Sequence, residues 1–348
     1  MNPTVTQKER IVSLDIIRGL ALFGILFINV GAYQLVVEGQ PLPVYSKFNS
    51  MLDTVIDIFI EKKFYSIFSL LFGIGYYIFT SRAEARGDKS RWRFARRLLA
   101  LFLIGIVHLI FFWGSILSAY AIIGLFLLPF YHAKVSTISK WLFSLIAVYI
   151  VSILGQMFMP NISILSTVFG LLGNDMMTIF IMFLTGFLVA KANWIGNVRQ
   201  HTKQIQWVIY VTCPLFVGLS SWIGFASQNQ DGHLQLLLGL GVIPTTYFYV
   251  ACLLLILEHE PIVKILKPIG RVGQMAFTNY LAQSFIGLAI IKLMGFEVMS
   301  TSRIVIIAIM IFVIQIIFSV IWFKFFKMGP LEKVWRWMTY GRKVSVKS

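Results

Sequence analysis

One histidine lies well inside an apolar stretch of this chain: His108, within Ala95–Phe112. Imidazole is the side chain most readily used as a base near neutral pH, and the structural alternative is a hydrogen-bonded core histidine. In Leu14–Val37, Asp15 and Arg18 stand at i, i+3 and can pair on one helix face. Asn29 lies three turns beyond Arg18, ~16 Å along a helix and within about 20° of the same direction. A site reaching from an interface towards mid-membrane would use both; Gln34 lies deeper still. In Met275–Met294, Asn279 and Gln283 are i, i+4, as are Tyr280 and Ser284, and Gln315 of a later stretch could join them. Such groups line a substrate cavity or serve as hydrogen-bonding glue between helices.

Arg82, Arg86, Lys89, Arg91, Arg93, Arg96 and Arg97 crowd the segment before His108. They serve as a topology signal, and Arg93, Arg96 and Arg97 could also hold a phosphorylated ligand, since guanidinium suits phosphate oxygens. Several chemistries are missing. There is no phosphate loop, no His-Glu-x-x-His zinc helix and no Gly-x-Ser-x-Gly elbow. Glu258-His259-Glu260 is consecutive rather than on one helix face, so no metal site is expected. Cys213 and Cys252 sit in apolar runs and say nothing of an oxidising compartment.

Lipid must be the solvent that positions these groups. Of 348 residues, 58% are hydrophobic and 13% charged, against roughly 25% charged in soluble domains; mean hydropathy is +0.82. The reading is an all-α polytopic membrane bundle of about ten transmembrane helices, forming a single membrane domain over 1–348. A bilayer core of ~30 Å needs about 20 apolar residues per helix. The expected spans are 14–37, 64–80, 95–112, 116–131, 138–159, 176–190, 207–225, 234–257, 275–294 and 304–326. Met51–Lys63 reads as an amphipathic surface helix leading into span two, and Ile162–Leu172 as an interfacial or re-entrant piece. Gly73 and Gly75 suggest close helix packing. No cleavable signal peptide is expected, because the first apolar run is long enough to span and lacks a small-residue cleavage site.

The net charge of +16 would suggest nucleic acid on a soluble protein. Here the basic residues flank apolar runs and set orientation, so no nucleic-acid partner is expected. With the N-terminus inside, outer loops hold just Lys47, Lys62, Lys63 and Arg303 of the 30 Lys and Arg. Both termini are therefore expected in the cytoplasm.

The chain resembles the YeiB-like family of bacterial membrane proteins of unknown function. The resemblance is carried by Ser13-Leu14-Asp15-Ile16-Ile17-Arg18-Gly19 running to Asn29, and by Lys63-Phe64-Tyr65-Ser66 running to Gly75. It continues in Gly270-Arg271-Val272-Gly273-Gln274-Met275-Ala276-Phe277-Thr278-Asn279-Tyr280 with Gln283-Ser284, then Gly329-Pro330-Leu331-Glu332 and Trp335-Arg336. The family's first span in turn is similar to that of transmembrane acyltransferases, including the heparan-glucosaminide acetyltransferase type. Those enzymes pass an acyl group from cytoplasmic acyl-CoA to an acceptor, often a sugar, at the other face.

That resemblance implies a bacterial plasma-membrane protein with acyl-CoA as co-substrate and no tightly bound cofactor. It implies His108 as general base, with Asn29 and Asn279 positioning acceptor or carbonyl and Tyr280 and Gln283 lining the substrate cavity. Arg18, Arg93, Arg96 and Arg97 would hold the CoA phosphates. Two departures stand out. Several acyltransferases place a catalytic His after the Arg where this chain has Asn29. YeiB-like members commonly have Gly-Asp-Ile-Leu after span three, where this chain has Gly114-Ser115-Ile116-Leu117. The alternative function is a transporter or exporter of a small molecule, with the same polar groups lining a path.

Overall fold

The computed structural model describes residues 7–33, 46–159, 163–295 and 299–341. Among them every regular element is helical: α1 (Gln7–Ala32), α2 (Lys47–Phe59), α3 (Lys63–Ala85), α4 (Ser90–Phe111), α5 (Leu117–Leu125), α6 (Val135–Phe158) and α7 (Ser163–Leu172). There follow α8 (Asp175–Lys191), α9 (Thr202–Gln228), α10 (Leu234–Ile256), α11 (Glu260–Gln274), α12 (Ala276–Met294), α13 (Thr301–Phe325) and α14 (Pro330–Tyr340). Nine segments of the described residues are long and apolar enough to cross a bilayer. Helices satisfy every backbone group internally, which is why a chain this apolar has no other way to span. It is a polytopic helix bundle. Residues 34–37 of the first expected span, Gln34 included, lie outside the described residues.

The expected span 116–131 is the one that takes a different form. Helix α5 stops at Leu125, and a single 3-10 turn, Leu128–Phe130, follows. Pro129 explains the break, since proline disfavours α geometry in the residue before it. The chain nevertheless returns to the end where α3 and α8 finish. Lys191 Nζ donates to the Tyr131 carbonyl at 2.6 Å, and the Tyr131 hydroxyl donates to Glu84. This broken passage is not among the nine segments long and apolar enough to cross a bilayer as one helix.

Close approach depends on glycine at two places. Gly73 of α3 lies against the Phe183 carbonyl of α8, and Gly186 of α8 lies against the Leu70 carbonyl of α3. A Cβ at either position would collide with backbone, so the pair can pack only as glycines. Gly75 differs from the expectation: nothing lies within 4 Å of its would-be Cβ, and it borders a cavity instead.

Amphipathic α2 forms as expected but turns its polar face inwards. Thr301 Oγ1 donates to Asp53 at 2.6 Å and Ser227 Oγ to Asp57 at 2.7 Å, while Phe48, Met51 and Phe59 are exposed. In lipid the apolar face belongs outside, so amphipathicity reports two solvents but not which is the protein. Two further helices, α11 and α14, form in segments expected only as inner connections. Helix α14 closes the inner end of the bundle. Glu332 on it accepts from Phe277 N at 2.8 Å, Thr278 N at 3.1 Å and Thr278 Oγ1 at 2.6 Å. The carboxylate thus caps the first turn of α12, where four backbone N–H groups lack intrahelical partners.

Candidate active site

His108 sits three residues from the end of α4 and is 1% exposed. The tight turn 112–116 brings the chain straight back, so Ser115 lies beneath the ring. Its Oγ is 2.8 Å from His108 Nδ1. On the other side Nε2 is 3.2 Å from Ser284 Oγ of α12, and Tyr33, just past the end of α1, donates its hydroxyl to the same Ser284 oxygen at 3.4 Å. One ring nitrogen donates and the other accepts in neutral imidazole, and the two serine hydroxyls can serve either tautomer. The position at which YeiB-like members commonly carry Asp is therefore in contact with the histidine. Here the contact is made by a neutral hydroxyl.

The Tyr280 ring packs against His108 with centroids 5.7 Å apart, and its hydroxyl accepts from Ile116 N at 3.3 Å. Tyr280 also forms part of the wall of a cavity of about 240 Å³. That cavity has Arg18 and Arg97 among its lining, with Glu332 and Trp335 of α14, and runs along Phe68, Phe72 and Leu101 to Leu117 and Tyr120. It is cationic towards the inner rim and aromatic in its depth. Arg18 is held by Asp15 at 2.6 Å and by the Gly273 carbonyl at 3.3 Å. The expected i, i+3 pair forms, and it fixes the guanidinium beside the break between α11 and α12. Arg97 lies 3.7 Å from the centre of the Trp335 ring and 5.0 Å from that of Phe79, a cation–π arrangement on the cavity wall.

The remaining expected residues divide differently. Arg96 Nε donates to the Met338 carbonyl at 2.9 Å; Arg93 pairs with Asp88 at 3.6 Å and lies over Tyr340. Both secure α14 and neither lines the cavity. Asn279 and Gln283 share one face of α12 by their i, i+4 spacing, about 100° round from the face that Tyr280 and Ser284 turn to His108. Asn279 Nδ2 donates to the Val272 carbonyl and to Ser319 Oγ, each at 3.0 Å, and Gln315 Nε2 donates to the Asn279 carbonyl at 2.7 Å. Asn29 lies one turn before Tyr33 on α1, and its Nδ2, like both amide atoms of Gln283, has no partner among the described residues. The polar residues of α12 thus serve two places: a histidine cluster beside the cavity and a carboxamide seam towards α13.

Sequence reasoning passed over Glu332, Trp335, Tyr33 and Tyr120. The first two lie in the Gly329–Arg336 stretch that carried the resemblance, which was a usable signal. Tyr33 and Tyr120 look like ordinary aromatic residues in apolar runs, and nothing local marks them.

Fold and site together define a multi-pass α-helical membrane protein with an inner cavity beside a buried histidine. The chain belongs to the YeiB-like family of bacterial membrane proteins of unknown function. It is 33% identical to the uncharacterized 39.9 kDa protein in the amylase 3′ region of Bacillus acidopullulyticus, over 99% of this chain and 98% of that one. It is 28% identical to the uncharacterized protein YxaH of Bacillus subtilis, over 98% of this chain and 96% of the relative. Its identity to the uncharacterized protein YeiB of Escherichia coli is 26%, over 95% and 96%. Residues 189–342 match the family described as "Protein of unknown function (DUF418)". No solved structure matches the chain.

Proposed function

We propose that this protein is an acyltransferase of the bacterial plasma membrane, moving an acyl group from cytoplasmic acyl-CoA to a hydroxyl-bearing acceptor at the other face. The observation that carries the reading is the double position of Tyr280, which forms the cavity wall and packs on His108. A turn of that ring joins a cationic, aromatic cavity to a buried base. At about 240 Å³ the cavity is smaller than the ~300–1,000 Å³ that encloses a drug-sized ligand. It suits the thioester arm, while the nucleotide stays at the rim with its phosphates on Arg18 and Arg97. His108 takes the acceptor's proton as the acceptor oxygen attacks the thioester carbon. The C–S bond breaks, and His108 returns that proton to the CoA sulfur.

The test is calorimetric acyl-CoA binding together with transfer or thioester hydrolysis. His108→Ala should lose 10²–10⁴-fold in turnover, the usual worth of one general base, with donor affinity nearly unchanged. Arg97→Ala should weaken donor binding, by less at high salt, where screening has already weakened charge contacts. If folded wild type binds no acyl-CoA of any chain length, the transferase reading falls and transport takes its place.

A further inference from the structure

From the deep end of the cavity a row of hydroxyl groups runs towards the outer face, set among the aromatic rings of Phe68, Phe72 and Phe183. Tyr120 lines the cavity; its hydroxyl is 2.6 Å from Ser69 Oγ and donates to the Tyr65 carbonyl at 2.9 Å. One turn further out on α3, Tyr65 OH donates to Asp175 Oδ1 at 3.0 Å. The same carboxylate oxygen receives Lys62 Nζ, also at 3.0 Å. Ser69 and Tyr120 are buried, whereas the Asp175 side chain is 50% exposed at the end of the file. From Ser69 to Lys62 is ~10 Å of helix. The Lys/Arg distribution places this end of α3 outside.

Hydroxyls within a membrane bundle either hydrogen-bond one helix to another or face a polar passage, and this row runs from a cavity wall to an exposed carboxylate. Ser69 and Tyr120 touch each other and both donate to the Tyr65 carbonyl, while the Tyr65 hydroxyl is held by Asp175. A hydroxyl both donates and accepts, so each of the three can exchange these bonds for bonds to another hydroxyl at little cost. At the outer end Lys62 and Asp175 neutralise one another, and Glu61 and Lys63 beside them add one charge of each sign. Between that end and Arg18 and Arg97, a lone cation or anion would meet hydroxyls, aromatic rings and aliphatic side chains but no counter-charge. We propose that the Tyr120–Ser69–Tyr65 file is the outer port of the cavity, latched by the Lys62–Asp175 pair, and that it admits a neutral, hydroxyl-bearing acceptor. The acceptor's fate rests on the acyl-transfer reading; the passage does not.

The experiment is thiol labelling in right-side-out vesicles, with Cys213 and Cys252 replaced by Ser. Ser69→Cys is compared with Thr80→Cys, an equally buried position towards the inner end of α3. The reagents are hydroxyethyl methanethiosulfonate, which is neutral, and its sulfonatoethyl counterpart of similar size. Ser69→Cys should react faster than Thr80→Cys with the neutral reagent and more slowly with the sulfonate. Adding Asp175→Ala should speed the neutral reaction roughly three- to tenfold, the combined worth of an exposed ion pair and a hydroxyl bond. Tyr65→Phe, which removes one hydroxyl and keeps the ring, should act in the same direction if Asp175→Ala lowers the yield of folded protein. Equal labelling at the two positions, or rates unmoved by both latch variants, overturns the port; a sulfonate rate equal to the neutral one overturns the ligand class. Labelling needs no acyl-CoA. A port that labels in a protein that binds no acyl-CoA leaves the passage standing and removes the transferase, and binding without labelling does the reverse.

Discussion

Glu332→Ala removes a cap that α12 cannot supply for itself. The carboxylate accepts three bonds, from Phe277 N, Thr278 N and Thr278 Oγ1, at 2.8, 3.1 and 2.6 Å. Replacing an N-capping group usually costs about 0.5–2 kcal/mol. A full negative charge at a helix N-terminus adds ~0.3–1 kcal/mol, or more when partly buried. The residue also ties α14 to α12, and Leu331 N donates to Thr278 Oγ1 at 3.1 Å beside it. A loss of about 2–4 kcal/mol follows, since bonds to charged groups run ~1.5–3 kcal/mol each but share one desolvation. Glu332→Gln keeps an acceptor oxygen and loses the charge, so about half that loss is expected. Unfolding in detergent by titration with a denaturing surfactant, followed by tryptophan fluorescence, reads the midpoint. Trp335 also reports locally, because Arg97 covers its ring and its Nε1 donates to the Arg97 carbonyl at 3.0 Å. An alanine variant within ~0.5 kcal/mol of wild type, or a glutamine variant as damaged as alanine, refutes the charged-cap argument.

Ser115→Ala should lower turnover and cost ~1 kcal/mol of stability by stranding His108 Nδ1, while Ser115→Asp should raise turnover by giving the protonated ring a charge-assisted partner; equal turnover in the two variants would show that the Nδ1 contact does not matter to the reaction. Gln283 is fully buried with neither amide atom partnered among the described residues, so near-isosteric Gln283→Leu should raise the unfolding midpoint by ~1–3 kcal/mol. An unchanged or lower midpoint would mean that something other than these residues satisfies the amide. Single cysteines near Asp88 and Asp231 should label from opposite faces, Asp88 from the cytoplasm, and labelling of Asp88 from outside would reverse the orientation of the whole bundle.

Much of the membrane architecture was legible in the residues alone. Hydropathy over ~20-residue windows is a local property, because each helix meets lipid on its own terms. The positions of α1, α3, α4, α6, α8–α10, α12 and α13 follow from that. So does the Asp15–Arg18 pair, whose partners are three residues apart on one helix. The surface helix α2 was legible as amphipathic, but its polar face turned out to seek Ser227 and Thr301 on other helices.

Tertiary structure alone decided which polar residues meet. Tyr280 and Ser284 reach His108 while Asn279 reaches Ser319 and Gln315 of α13, because neighbouring positions on α12 diverge by ~100° and the rotation of a helix is set by packing. Within the stripe, the sequence treats all four alike. Arg97 lines the cavity and Arg96 does not for the same reason, one step of rotation apart. Ser115 entered the sequence reading as a departure from a motif; its contact with His108 required the 112–116 turn to fold back. Glu332 and Trp335 sit more than fifty residues from Thr278 and more than two hundred from Arg97, and no local pattern encodes a contact at that separation. Where lipid is the solvent, each span's sequence tells how deep it lies; which neighbour its few polar groups touch depends on how the helices pack against one another.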